Sequence, residues 1–339
     1  MWRGKREWAA RHAERWGLTT LLERLPAAPA LLVLNHHRVG DRERCPYDRG
    51  VFESTAGELD ERVAVLKSRF SLVGLDEAQA IIEGRHASRH VQILLTFDDG
   101  YRDSYETVFP ILRSHGVPAV FFLPTAFIET GRIPWWDQIA FMVRHTERVR
   151  ITLRYPRPWV ADLARVDRES AIRQLLQLYK APETADPARL LAEVAEACAV
   201  PPPIVAESRL SMEWDEARAL LRGGMAIGSH THSHELLARL PVDKQREELR
   251  LSREILESRL SIRIDTLAYP VGSRTSFSAI TWQVLEESGY RTAFSFYGGV
   301  NRAASPRFDV RRMAISRGAS PAYLRLRIAS AALARRELV

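Results

Sequence analysis

One segment constrains this chain more than any other. Val91-Gln92-Ile93-Leu94-Leu95-Thr96-Phe97 is an almost unbroken apolar run that stops abruptly at Asp98-Asp99-Gly100. A short run of this kind, with no polar alternation, predicts a strand buried on both faces, as in a parallel sheet covered by helices. The polar stop then falls at the strand's C-terminal end, where Gly100 gives the backbone room to turn. The pattern recurs. Leu31-Leu32-Val33-Leu34 ends in Asn35-His36-His37-Arg38, Met225-Ala226-Ile227 leads into Ser229-His230-Thr231-His232-Ser233-His234, and Thr266-Leu267-Ala268-Tyr269 ends in Pro270-Val271-Gly272.

Between these strands lie segments with helical periodicity, at 57–70, 75–83, 105–115, 213–222, 241–260 and 277–288, with further strands at 72–73, 119–123 and 292–296. Alternating strands and helices imply a parallel sheet with helices outside. A G-x-G-x-x-G after the first strand and a G-x-x-x-x-G-K-[ST] are both absent, which disfavours a nucleotide-binding doubly wound fold. A barrel fits better, because barrels collect their reactive residues at the C-terminal ends of the strands. The expectation is an α/β protein: a distorted (β/α) barrel of about seven strands, interrupted by a mostly helical insertion. Its five expected segments are an amphipathic N-terminal helix (1–28), the first part of the barrel (29–131), the insertion (132–215), the second part of the barrel (216–318) and a basic C-terminal helix (319–339).

Composition narrows the class. With 46% hydrophobic and 27% charged residues the chain can bury a core and is too apolar for disorder. The net charge of +7 has two readings, an affinity for anionic surfaces or a solvated basic exterior, and the arginines are scattered rather than clustered. With no zinc-finger spacing or RNP motif, no nucleic-acid partner is expected. Cys45 and Cys198 are far apart and in no C-x-x-C pattern, so a disulfide framework is not expected. The charged start lacks the apolar core of a secretory signal, and the expectation is a cytoplasmic protein. Trp2, Trp8 and Trp16 among Arg and Lys allow peripheral membrane contact at the inner face through the terminal helices; the alternative is a helix packed on the domain's side.

The adjacent carboxylates Asp98 and Asp99 diverge at a strand end, so one can bind a metal while the other faces a reaction centre. Their alternative role is to cap a helix. His230 and His234, four residues apart, would share one side of a helical turn and could reach one ion together. With the Asp99 carboxylate this makes a two-histidine, one-aspartate set with open positions, the pattern of a catalytic rather than a structural metal site. The alternative is a surface or core histidine cluster. On a helical turn His232 would point away from the other two, as a supporting residue.

Thr96-Phe97-Asp98-Asp99-Gly100 followed by His230-Thr231-His232-Ser233-His234 resembles the polysaccharide deacetylases of the NodB-homology type, carbohydrate esterase family 4, whose first two motifs are T-F-D-D-G and H-[ST]-x-x-H. The resemblance implies a divalent metal, Zn2+ first with Co2+ or Ni2+ as alternatives, held by Asp99, His230 and His234, with Asp98 as catalytic base. It implies a substrate that is an N-acetylated sugar or oligosaccharide. Ala268-Tyr269-Pro270-Val271-Gly272 matches the third motif, R-x-P-[YF]-[GN], only in part. Its turn implies an oxyanion and substrate-binding role for Tyr269, Pro270 and above all the Val271 N–H. Ala268 stands where the family has an arginine, and Arg311 or Arg312 is expected to supply that charge. The last motif's histidine, the family's general acid, has no counterpart, since no histidine follows His234. Leu34-Asn35-His36-His37-Arg38-Val39 is similar to a Y-H-x-[IV] segment near the start of some family members, which places His37 in the acid's role; the alternative is a strand-end histidine bonding a loop. Trp135 and Trp136 would form a sugar-stacking platform or anchor the insertion. The expected activity is hydrolysis of N-acetyl groups from an amino sugar in a polysaccharide or glycan precursor. The alternatives are an amidase of the same fold on another amide and a non-catalytic sugar-binding relative.

Overall fold

The computed structural model describes residues 2–25, 30–86, 91–203, 209–303 and 305–333. The chain divides into two compact units, one made of 1–40, 53–129 and 211–339 and the other of 41–52 and 130–210.

The first unit is a closed parallel barrel. Its seven strands are β1 (Ala30–His36), β5 (Val91–Phe97), β6 (Val120–Leu123), β9 (Ala226–Ser229), β10 (Thr266–Ala268), β11 (Thr292–Ser295) and β12 (Val310–Ala314). They run in the order β1-β12-β11-β10-β9-β6-β5, and β5 closes the ring by pairing with β1 from Ala30↔Val91 through His36↔Phe97. The short β2 (Arg38–Val39) and β3 (Phe52–Ser54) pair with each other, and β4 (Ser71–Leu72) adds to the early half of β5.

Strand alternation sorts the side chains. Leu31, Val33, Leu94, Val120, Phe122, Ala268, Phe294 and Val310 meet inside the barrel. Leu32, Leu34, Ile93, Leu95, Phe97, Phe121 and Leu123 face the other way and pack in a second cluster with the surrounding helices. These helices are α3 (Ala56–Arg69), α5 (Phe109–His115), α6 (Thr125–Thr130), α10 (Trp214–Arg222), α11 (Val242–Leu260) and α12 (Ala279–Glu287). The short α4 (Leu75–Ile82) differs: its Ala78, Ile81 and Ile82 join the interior cluster. Its Gln79 amide donates to the Thr292 hydroxyl at the start of β11, 3.1 Å away. The N-terminal end of the barrel is thus filled with apolar side chains, which leaves the C-terminal end for chemistry.

Several expectations are corrected in this unit. The N-terminal segment is two helices, α1 (Trp2–Arg15) and α2 (Leu18–Arg24), because Gly17 adopts a left-handed conformation (φ 71°) that a continuing helix cannot hold. The end of the expected segment, 26–28, lies outside the described residues. The C-terminal helix α13 (Pro321–Leu333) is only partly basic in exposure: Arg325 is buried in ion pairs with Glu14 (2.6 Å) and Glu23 (2.8 Å) of the N-terminal helices. The strand β12 escaped the sequence pattern because Arg311 and Arg312 sit in its centre.

The second unit holds α7 (Trp135–His145), α8 (Arg168–Lys180) and α9 (Pro187–Cys198), together with an antiparallel pair, β7 (Arg150–Leu153) and β8 (Trp159–Asp162). The pair qualifies the expected mostly helical insertion; Ile151 and Leu153 face its core while Arg150 and Thr152 stay exposed. Segment 41–52 belongs here through Cys45, Tyr47 and Phe52, which pack with Ile133 and Leu210, and through the Asp48 amide, which donates to the Asp137 carboxylate at 2.9 Å. Cys45 and Cys198 are buried free thiols.

Candidate active site

The alternation that fills the barrel with apolar side chains continues to its C-terminal rim, where the inward residues turn polar. After Val33 the next inward position on β1 is Asn35; after Leu94 on β5 come Thr96 and then Asp98; after Val310 on β12 comes Arg312. The four are buried and interlocked. Arg312 Nη1 donates to Asp98 Oδ1 at 2.7 Å and to Asn35 Oδ1 at 2.8 Å. Its Nε donates to the Ser295 carbonyl at 3.0 Å. Asn35 Nδ2 donates to Asp98 Oδ2 at 3.1 Å, and the Thr96 hydroxyl donates to Asn35 Oδ1 at 2.7 Å. Burial pushes the Asp98 carboxyl up, but the Arg312 guanidinium outweighs it and leaves the group below its ordinary range. Asp98 is therefore ionised at neutral pH, in the state a base requires. Arg312 supplies the charge expected there. Arg311 is turned elsewhere, 3.8 Å from Asp309 and over the Tyr297 ring.

The next residue, Asp99, faces two imidazoles. His230 Nε2 and His234 Nε2 lie 3.4 and 3.3 Å from the same Asp99 Oδ1. All three residues are buried, and their ligand atoms lie within 4.8 Å of one another. His230 Nδ1 lies 2.7 Å from the Ala268 carbonyl, to which it donates, and this fixes the ring with Nε2 toward Asp99. Burial, ahead of the Asp99 contact, lowers the His234 pKa and keeps that ring neutral. Both Nε2 atoms face one carboxylate oxygen, an arrangement in which a single cation would draw on all three groups. The donor set suits a divalent cation such as Zn2+, Co2+ or Ni2+, all of which accept imidazole and carboxylate together.

The segment 230–234 is not the helical turn expected from its spacing. It is an irregular loop in which Thr231 (φ 64°) and His234 (φ 60°) adopt left-handed conformations. Side chains hold it. The Thr231 hydroxyl accepts from the His234 amide at 3.1 Å, and Glu248 of α11 accepts from the His232 and Ser233 amides at 3.0 and 2.8 Å. His232 leaves the cluster, with Nδ1 2.8 Å from the Thr125 hydroxyl. Among the described residues, six non-glycine residues have positive φ, and Asp99, Thr231, His234 and Val271 are four of them. Ala199 and Ser261, the other two, end helices. Backbone strain of this kind persists where surrounding contacts over-determine it, and it concentrates here at the rim.

His36 and His37 point to opposite sides of β1. His36 stacks on Phe97 with ring centroids 4.7 Å apart, and burial drops its pKa to about 3: a neutral core histidine. His37 is gripped by Glu53 of β3. Its backbone N–H and ring Nδ1 lie 3.0 and 2.8 Å from the two Glu53 carboxylate oxygens. Burial lowers the His37 pKa, yet the Glu53 carboxylate more than compensates and raises it to about 9. His37 is thus a cation at neutral pH, able to give up a proton.

At the end of β10, Pro270 and Gly272 frame a tight turn in which the Gly272 amide donates to the Pro270 carbonyl at 2.7 Å across Val271 (φ 62°). Gly272 cannot be replaced, since a Cβ there would stand 2.7 Å from that of Phe296. Tyr269 does not reach the rim with its ring, as a substrate-binding role would need. It stacks on Phe277 at 4.2 Å and donates its hydroxyl to the Phe308 carbonyl at 2.8 Å, because alternation turns position 269 outward into the helix layer. Trp135 and Trp136 do not present an open stacking platform either. Within the second unit Trp135 lies flat on Tyr179 at 3.8 Å, and Trp136 meets it edge-on; both are buried, since indoles of this size serve as core there. Asn35, Glu53 and Glu248 escaped sequence reasoning. Asn35 was within reach of the two-residue period of β1, whereas the two glutamates carry no local signal.

Comparisons with known proteins agree with this geometry. A family model described as polysaccharide deacetylase matches residues 86–157 and 191–293, both motif regions included. Among solved structures, Streptococcus pyogenes deacetylase PplD in complex with acetate superposes with a TM-score of 0.58 at 16% identity, covering 88% of this chain and 97% of that one. IcaB from Ammonifex degensii gives 0.57 at 18% identity, covering 91% and 100%. A de-N-acetylase from Aggregatibacter actinomycetemcomitans gives 0.54 at 17%, covering 86% and 97%. At these identities the three structures speak to the fold. A search of curated proteins finds no match. With its closed seven-stranded barrel, its Asp98-Asp99 and His230/His234 motifs at one rim and a family match over half its length, the chain belongs to the polysaccharide deacetylase family.

Proposed function

We propose that this protein hydrolyses N-acetyl groups from an amino sugar in a polysaccharide or glycan precursor, using a divalent cation held by Asp99, His230 and His234. The observation that carries the reading is the division of labour between adjacent carboxylates: Asp99 Oδ1 faces two imidazoles while Asp98 is clamped, ionised, by Arg312. Neither a sugar-binding module nor a scaffold has use for a buried charge held apart from the ligand set in this way.

The cation would polarise the acetyl carbonyl and acidify a water molecule. Asp98 takes the proton of the attacking water. Oδ2 is the oxygen assigned to accept it: Oδ1 carries the Arg312 ion pair, whereas Oδ2 accepts one neutral hydrogen bond, from Asn35, keeps a lone pair and lies 3.9 Å from His230 Nε2. The Val271 N–H, in a turn adjoining β9 and its His230, is assigned to the developing oxyanion. His37 protonates the departing amine through Nε2, because Glu53 holds Nδ1. Acetate and a free amino sugar result.

Acetate release from short N-acetylglucosamine oligomers, measured alongside the metal content of the purified protein, tests the proposal. Asp98→Asn is expected to retain the metal and lose about 10²–10⁴-fold in turnover, the range for removal of a general base. An Asp98→Asn protein that deacetylates at the wild-type rate would sink it.

A further inference from the structure

Outside the barrel rim, the molecule's most unusual surface lies on its N-terminal helices. Eight large hydrophobic side chains are exposed among the described residues, and five of them, Trp8, Trp16, Leu18, Leu21 and Leu25, fall within 18 consecutive positions that span α1, the turn after it, α2 and the residue that ends it. Trp16 is 81% exposed and Trp8 60%. Charge is sorted across the same helices. The acids are tied to the C-terminal segment: Glu7 accepts from the Ser320 hydroxyl at 2.6 Å, and Glu14 and Glu23 pair with the buried Arg325. The bases stay outside: Lys5, Arg6, Arg11, Arg15 and Arg24 are exposed, and none forms an ion pair with another described residue. On α1 the spacing puts Trp8, Arg11 and Arg15 on one face, opposite the buried Ala10.

We propose that this outer face of α1 and α2 docks the protein on an anionic lipid surface. Indole rings prefer the boundary between headgroups and acyl chains, leucines enter the acyl region, and flanking cations meet the lipid phosphates. No helix among the described residues is long and apolar enough to cross a membrane, so the contact lies along the surface. Charge complementarity separates this occupant from others. A second copy seated symmetrically would set the same arginines against themselves, on a chain whose net charge is +7. A nucleic acid would engage the arginines but leave Leu18, Leu21 and Leu25 in water. Docking would hold the barrel beside substrates carried on a lipid.

The test is co-sedimentation of the full chain with phosphatidylcholine vesicles and with vesicles containing about one-third phosphatidylglycerol, at low and high salt. The protein is expected to pellet with the anionic vesicles at least about tenfold more than with the neutral ones, and added salt should reduce the difference. Trp8→Ala/Trp16→Ala and, separately, Arg11→Gln/Arg15→Gln should each cut binding several-fold. Because these side chains are exposed, circular dichroism and acetate release from a soluble oligomer should stay at wild-type values. Equal binding to both vesicle types, or wild-type binding by the tryptophan variant, overturns the proposal. So does a concentration-dependent dimer in sedimentation velocity that the tryptophan variant abolishes, which would make the face a contact between two copies.

Discussion

Arg312 reaches Asp98 across 214 positions of sequence, and its Nη1 stands 2.7 Å from Asp98 Oδ1 inside the barrel. The contact decides the state of the carboxylate proposed as the base. Without it, burial would push the Asp98 carboxyl up and its charge would be lost at higher pH. Arg312→Met is therefore expected to move the acid limb of kcat/KM to higher pH than in the wild type. It should also cost about 3–5 kcal/mol of stability, the range for stranding one partner of a buried ion pair. In the wild type Asp98, with its lowered pKa, contributes stability at pH values above the unfolded carboxyl range, and that contribution fades as pH falls through the folded value. Denaturant titrations and rate profiles from pH 4 to 8 check both; coincident acid limbs would refute the tuning role of Arg312.

Asp99, His230 and His234 should act as one ligand set. Dialysis against a chelator is expected to abolish acetate release, and Zn2+, Co2+ or Ni2+ should restore it. A bound cation also stabilises the folded chain, by about 2.7 kcal/mol at one hundred times its dissociation constant. The unfolding midpoint should therefore rise on adding metal to the wild type and stay put in His234→Ala. Full activity in the chelated protein would contradict the assignment.

His37 makes the opposite prediction on the alkaline side. Its pKa is raised to about 9, so its proton is present at neutral pH and lost as pH climbs through that value. Its pairing with Glu53 stabilises the fold fully below pH 6.5 and ceases to do so above about 9. Activity should fall along a basic limb at or below that value, since a cation at Asp99 offsets the carboxylates that help raise it. Glu53→Gln should shift the limb downward, and His37→Gln should erase it along with most of kcat. A limb untouched by both substitutions would show that another group is the acid.

Val271 holds a left-handed conformation that suits glycine and burdens a β-branched side chain. If only its N–H matters, Val271→Gly should keep acetate release within a few-fold of wild type and leave stability unchanged or up to about 1 kcal/mol higher. Val271→Pro, which removes the N–H and forbids the conformation, should lose both activity and stability. Loss of turnover in the glycine variant would mean that the side chain itself contacts substrate.

The barrel and the two motif pairs were readable from local pattern. The apolar runs ending at Asn35, Asp98, Ser229 and Tyr269 specify strands buried on both faces, and the polar residues just beyond each strand land on one rim because all the strands are parallel. The strand carrying Arg312 was not readable in this way. Val310-Arg311-Arg312-Met313-Ala314 looks too charged for a barrel interior until Asp98, Asn35 and Ser295 are there to receive the guanidinium. The same holds for His37, whose proton depends on Glu53 arriving from a different strand. His230 and His234 were rightly paired on a helical premise that the loop does not follow; two left-handed residues and Glu248 bring the rings together instead. Sequence by itself picked out the two carboxylates and two histidines that meet at the rim, because strand period and motif spacing are local properties. Tertiary structure alone decided their protonation and aim, because burial and charge pairing depend on partners that meet only once the barrel has closed.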